Sequence, residues 1–220
     1  MNRAEEDYLK LIYELDKTSQ DPYIKTSYLA ERFGYTLQSV NEMVKRLSQK
    51  DLLSFEPYKG VRLKDKGKNE ALRMIRAHRL WEVFLSQKLG MGWEELHEEA
   101  EKLEHATSLN VLEKLYSFLD EPEHCIHGNP IPNALGELPH DDYVALWDAT
   151  EGTTFRVRRV LDYKQLLTYL KSHRIALDSL LYIENKDPFG KIVHVHHNGR
   201  SIPLGKNIAT MIYGEMHTDD

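Results

Sequence analysis

Apolar positions recur at helical spacing through the first half of the chain. Between residues 3 and 18, Tyr8, Leu11, Ile12 and Leu15 fall along one side of a helix. Asp21 and Pro22 then interrupt the pattern. Thr26 is placed to cap a short helix, Ser27–Phe33, which Gly34 closes, and Thr36 is placed to cap a second helix over 37–50. Val40, Val44 and Leu47 lie on the apolar side of that second helix. Two capped helices separated by a Gly-Tyr turn are the sequence form of a helix-turn-helix. Leu52–Glu56 and Gly60–Lys64, flanking Pro57-Tyr-Lys-Gly60, predict the hairpin of a wing. Lys66–Leu89 predicts a long helix carrying Leu72, Ile75, Leu80, Val83 and Phe84, ended by Gly90 and Gly92. Trp93–Glu104 and Ser108–Leu119 predict two more, the latter with Leu109, Leu112, Leu115, Tyr116 and Leu119 apolar. Residues 121–132 read as a structured loop and 133–142 as a linker.

After residue 142 the period changes. Tyr143–Trp147, Thr153–Val160, Ser179–Ile183, Ile192–His196 and Met211–Tyr213 alternate or are β-branched, and one helix, Tyr163–His173, interrupts them. Short strands at close spacing predict a small β-barrel. The predicted fold class is therefore mainly α with small β parts. It divides into a winged helix-turn-helix over 1–68, a helical part with linker over 69–142, and a barrel over 143–220.

Composition adds little: 41% apolar and 29% charged residues describe an ordinary globular chain. No apolar run is long enough for a membrane span, and MNRAEEDYLK lacks the apolar core of a signal peptide. The single cysteine, Cys125, excludes an internal disulfide. These features predict a cytoplasmic protein with no membrane partner. Charge is more informative once divided. The net charge of −6 separates into +2 for residues 1–68, −9 for 69–142 and +1 for 143–220, and residues 36–68 alone carry +4. A locally basic end followed by an acidic centre suits DNA binding beside cation binding.

In a helix-turn-helix the start of the second helix meets base edges. Here that segment holds Thr36, Leu37, Gln38, Ser39 and Asn41. Gln and Asn can pair with adenine, and Leu37 suits a thymine methyl. Lys45, Arg46, Lys59, Arg62 and Lys64 are the candidate phosphate contacts, and Tyr28 and Tyr35 add hydroxyls. The candidate metal chemistry lies further on. On a helix, His97, Glu101, Glu104 and His105 share one face, while Leu96, Ala100 and Leu103 share the core-facing one. His78 and Glu82 stand one turn apart on the preceding helix, and Asp7 lies near the chain start. Asp7, His78, Glu101, Glu104 and His105 form an oxygen-dominated set without sulfur, which favours Mn2+ or Fe2+ over a thiolate zinc site. Cys125-Ile-His127, completed by Glu82, is a second candidate group.

These motifs together resemble the diphtheria-toxin-repressor family of metal-dependent transcription factors, near its manganese-responsive branch. The residues that carry the resemblance are Glu-Asp7-Tyr-Leu, Thr36-Leu-Gln-Ser-Val, Lys-Gly67, Ala77-His78-Arg79-Leu80-x-Glu82, His97-x-x-Ala-Glu101-x-x-Glu104-His105 and Gly128-Asn-Pro-Ile-Pro132. The resemblance implies a winged helix-turn-helix, a helical dimerisation and metal domain, and an SH3-like (FeoA-like) barrel. It also implies a homodimer on a palindromic double-stranded operator, and no enzymatic activity. Asp7 and Glu101 stand where iron-sensing relatives have Met and Cys, which moves the implied preference toward Mn2+. Lys10 stands where the short manganese regulators have an acid. The resemblance further implies a second metal site of Glu82, Cys125, His127 and an acid from the barrel, Asp162. His97 matches a ligand of the iron-type relatives and is left as a supporting group. Two rival readings are a carboxylate-bridged metalloenzyme, which lacks the required Glu-x-x-His repeats, and a winged-helix regulator that senses a small organic ligand.

Overall fold

The computed structural model describes residues 1–19, 21–93 and 95–217, the side chain of Thr18 excepted. The chain forms two compact units. The first takes Met1–His78, Leu103–Leu112 and Pro132–Glu137, and the second Arg79–Lys102, Glu113–Ile131 and Leu138–Asp220.

The first unit opens with α1 (Arg3–Thr18), started by a capping box. The Asn2 side chain accepts from the Glu5 amide at 3.0 Å and the Glu5 carboxylate accepts from the Asn2 amide at 3.2 Å. The helix buries Tyr8, Leu9, Ile12 and Tyr13. Leu11 and Leu15 are only half-buried, so the inward face is rotated from the predicted one. Tyr8 stacks on Phe33 with ring centroids 4.3 Å apart, and that contact turns its side of α1 inward.

α2 (Thr26–Phe33) and α3 (Leu37–Gln49) follow as the predicted helix pair. Thr26 is not the cap. Ile24 pairs with Val61, which keeps the backbone extended as far as Lys25, so Lys25 takes the N-cap position and Thr26 is the first helical residue. Gly34 closes α2 in the left-handed region, and Thr36 does cap α3, accepting from the Ser39 amide at 3.2 Å. Val40, Val44 and Leu47 are fully buried. β1 (Leu53–Glu56) and β2 (Gly60–Leu63) form the antiparallel wing. α4 (Asp65–Leu89) comes next.

α5 (Leu96–Glu104) starts three residues later than predicted, and ahead of it the Glu95 amide bonds the Gly92 carbonyl at 2.9 Å. α6 (Leu109–Phe118) buries Leu112 and Leu115, but Leu109, on its first turn, is 63% exposed and not part of the core.

In the second unit, six antiparallel strands run in the order β3-β8-β4-β5-β6-β7. These are β3 (Val144–Ala145), β4 (Thr154–Val160), β5 (Leu180–Asp187), β6 (Ile192–His197), β7 (Arg200–Gly205) and β8 (Ile212–His217). Bulges at Val157/Arg159 and Ile183/Asn185 bend β4 and β5. α7 (Lys164–Ser172) packs Leu166, Leu167 and Leu170 into the same core as Phe155, Val157, Leu181, Val193, Val195 and Ile212. The predicted first strand is cut short, since Leu146 turns into a 3-10 segment, Leu146–Asp148, and is buried there. β7 and the short α8 (Lys206–Ala209) were absent from the sequence reading. Pro203 masks the strand signal, yet a proline is tolerated because β7 is an edge strand.

The loop at 123–131 is pinned to β4. The Val160 amide donates to the His127 carbonyl at 2.9 Å, and the Asn129 side chain donates to the Val160 carbonyl at 3.0 Å. Gly128 has φ +77°, and a Cβ there would stand 2.0 Å from the Arg158 carbonyl oxygen. Gly34, at φ +66°, has open space around it. Gly128→Ala is therefore expected to cost about 2–4 kcal/mol and Gly34→Ala about 1 kcal/mol, compared by urea unfolding. Equal costs would contradict the close approach at Gly128.

Candidate metal centres and nucleic-acid face

In the first unit, Asp7, Glu104 and His105 each present a ligand atom, all within 4.8 Å of one another. α1 supplies Asp7, and the end of α5 supplies Glu104 with His105 directly after it. His105 is held on two sides: Nε2 lies 2.9 Å from Asp7 Oδ1 and Nδ1 lies 2.7 Å from Glu6 Oε2. Arg73 in turn bonds Glu6, with Nη2 3.1 Å from Oε1. A carboxylate behind one ring nitrogen orients the other, which is the support a metal-ligating imidazole needs.

Glu104 is almost wholly buried. Its two oxygens lie 3.0 and 2.9 Å from Lys10 Nζ, and His78 Nδ1 bonds the same carboxylate. Burial pushes the Glu104 carboxyl up, but the bonds and charges of His78 and Lys10 outweigh it and hold the group below its ordinary value. Asp7 goes the other way, since burial raises it against the pull of His105. Two carboxylates and an imidazole within one coordination span fit a divalent ion that prefers oxygen and nitrogen. His78 reaches this group as the partner of Glu104. Glu101 is described with the second unit, where its Oε1 lies 3.4 Å from His97 Nε2.

In the second unit, Glu82, Cys125 and His127 bring ligand atoms within 4.8 Å, and all three residues are buried. Glu82 has the same proximity to His97 and Asp162, whose Nδ1 and Oδ2 are 3.8 Å apart. His127 faces an acceptor at each ring nitrogen: Nδ1 lies 3.2 Å from Glu82 Oε1 and Nε2 lies 3.0 Å from the Trp93 carbonyl. Burial lowers its pKa, but Glu82, Asp162 and that carbonyl together outweigh it and raise the ring above its ordinary value. Burial, with the charge of Glu82, pushes the Cys125 thiol well above its ordinary value. This donor set of carboxylate, thiol and imidazole fits a borderline divalent cation, which would take up the charge of a thiolate.

The candidate DNA contacts share the first unit. Leu37, Gln38 and Ser39 are exposed at the start of α3 beside the cap Thr36, and Asn41 is half-buried. Lys45 and Arg62 are exposed. Arg46 Nε lies 3.1 Å from Glu5, Lys59 lies 2.7 Å from Glu56, and Lys64 lies 2.5 Å from Asp51. The Lys59 and Lys64 pairs are exposed on both sides and weak, so they exchange readily for phosphate, whereas Arg46 is tied to a buried carboxylate. Tyr28 and Tyr35 are also exposed. Sequence reasoning missed Glu6 as the support of His105 and Lys10 as the partner of Glu104. Glu6 and Lys10 stand at i, i+4, which is also the pattern of an ordinary solvated helix pair. The apolar residues Tyr8 and Leu9 between them are an available signal.

Residues 1–61 match the family described as iron dependent repressor, N-terminal DNA binding domain. Residues 64–133 match the iron dependent repressor metal binding and dimerisation domain, and 144–216 the FeoA domain. The iron-dependent repressor IdeR of Mycobacterium tuberculosis is 30% identical over 90% of this chain and 91% of its own. A solved manganese-dependent transcriptional repressor in complex with manganese is 35% identical, with a TM-score of 0.87 over 97% of this chain and 100% of that one. The structure of the manganese regulator SloR is 35% identical, with a TM-score of 0.84 over 97% of this chain and 98% of that one.

The state of Cys125 gives a direct check. At pH 8 the native, chelated chain is expected to react with Ellman's reagent at least about 100-fold more slowly than the chain in denaturant. Comparable rates would mean an accessible thiol and would undo the second donor group.

Proposed function

The chain belongs to the iron-dependent repressor family, that of the diphtheria toxin repressor, and from that premise we propose that it is a manganese-responsive repressor of metal-uptake genes. The family consists of metal-dependent DNA-binding repressors, not enzymes, so the metalloenzyme rival is set aside. The observation that carries the manganese reading is the sulfur-free group of Asp7, Glu104 and His105. Thiolate or thioether ligands would favour softer ions, whereas carboxylate with imidazole suits Mn2+, with Fe2+ next. The 35% identity to manganese regulators supports the same choice.

In this reading Asp7, Glu104 and His105, with His78 beside Glu104, hold one ion. Glu82, Cys125, His127 and Asp162 hold another. The ion supplies a charge that lets two carboxylates stand together. Asp7 then fixes α1 against the end of α5, and the Tyr8–Phe33 stack passes that constraint to the α2–α3 pair. Residues 1–68 act as the reading head, 69–142 as the dimerising and metal-binding part, and 143–220 as a FeoA-like domain that lends Asp162. A homodimer places its two α3 helices about 34 Å apart on successive major-groove faces, which a palindromic operator matches. Gln38 and Asn41 would read adenine and Leu37 a thymine methyl, while Lys45, Arg46, Lys59 and Arg62 would meet phosphates. Metal and operator then each raise the other's affinity by linkage.

Asp7→Ala and His105→Ala are expected to lower Mn2+-stimulated operator affinity by about 10–100-fold, a coupling of the usual allosteric size, with little effect on binding in chelator. Cys125→Ser should weaken stimulation only in part. Fluorescence anisotropy with and without Mn2+ measures all three. Undiminished stimulation in both of the first two variants would sink the proposal, and binding indifferent to Mn2+ and Fe2+ in the wild-type chain would favour the organic-ligand rival.

A further inference from the structure

The geometry points to Lys10 as a built-in competitor for the divalent cation, an ammonium that neutralises Glu104 in the metal-free chain and has to withdraw before an ion can be held there. This rests on the reading of Asp7, Glu104 and His105 as ion-holding residues. The position of one nitrogen atom carries it. Lys10 Nζ lies 2.9 and 3.0 Å from the two Glu104 oxygens and 3.3 Å from His78 Nδ1. It therefore stands where a carboxylate and an imidazole converge, the same donors a divalent ion uses.

The surroundings make this position consequential. Glu104 is 1% exposed and the Lys10 side chain 13%, so the pair is poorly screened by water. A carboxylate that deep requires a positive partner. In α1, Lys10 follows Asp7 by three residues, so the helix that offers a ligand also delivers the competitor. The ammonium has a long, flexible stem and a partly open side, which give it a path toward solvent. An ion bound by Glu104 with the ammonium still in place would face a like charge at contact distance. Lys10 thus sets a threshold: it keeps the empty group ordered and raises the ion concentration needed to fill it.

The test uses the full chain with Lys10→Met and Lys10→Gln. Mn2+ affinity is read by equilibrium dialysis with electron paramagnetic resonance of the free ion. The stability of the chelated protein is read by calorimetry. Removal of the charge is expected to tighten Mn2+ binding at the Asp7 group by at least about tenfold, and to lower the melting temperature of the metal-free protein by about 5 °C. Lys10→Gln keeps a neutral donor near Glu104, so it carries the affinity test if Lys10→Met does not fold. Unchanged or weaker Mn2+ binding in the folded variant would overturn the competitor role. Failure of the underlying reading looks different: wild type and His105→Ala would then bind the same number of ions equally well.

Discussion

Two carboxylates that are almost out of water set the terms for much of this molecule, because each requires positive charge beside it. In the first unit Glu104 meets Lys10 and His78. In the second, Glu82 meets the His127 ring, whose pKa it raises. A buried ionised group without such a partner would cost several kcal/mol. Each acid therefore has a basic side chain of the same chain beside it, an ammonium in one case and an imidazole in the other. These contacts hold both groups of side chains together within the fold.

The same economy explains which elements hold the donors. Asp7 sits on a helix fixed by an aromatic stack and a capping box, and His105 is oriented by Glu6, itself held by Arg73. In the second unit the loop bearing Cys125 and His127 is tied to β4 by main-chain and Asn129 bonds, and only a glycine at 128 permits the approach. The candidate donors thus come from rigid or pinned backbone, whereas the candidate DNA contacts lie on α3 and the wing, most of them exposed.

Much of this was legible in the residues. The helical period located α1 to α6, and the run of acids and histidines singled out the helices whose side chains the structure clusters. What stayed hidden depends on tertiary contacts. Thr26 looked like a cap, but the Ile24–Val61 bridge decided where α2 begins. Pro203 concealed β7, because a proline counts against a strand unless it is known to lie at an edge. Glu6 and Lys10 were missed since charge pairs on a helix are usually solvated, and only the packing around Tyr8 shows that this stretch of α1 faces inward. His97 was set aside as a supporting group, yet it lies among the donors with Glu82 and Asp162.

The depth of Cys125 has a consequence for chemistry under oxidative stress. Peroxide attacks the thiolate form of cysteine, and exposure governs how fast it does so. Cys125 is sealed from solvent and its proton is held tightly, so conversion to a sulfenic acid is slow. A thiol placed this way survives conditions that would oxidise a surface one.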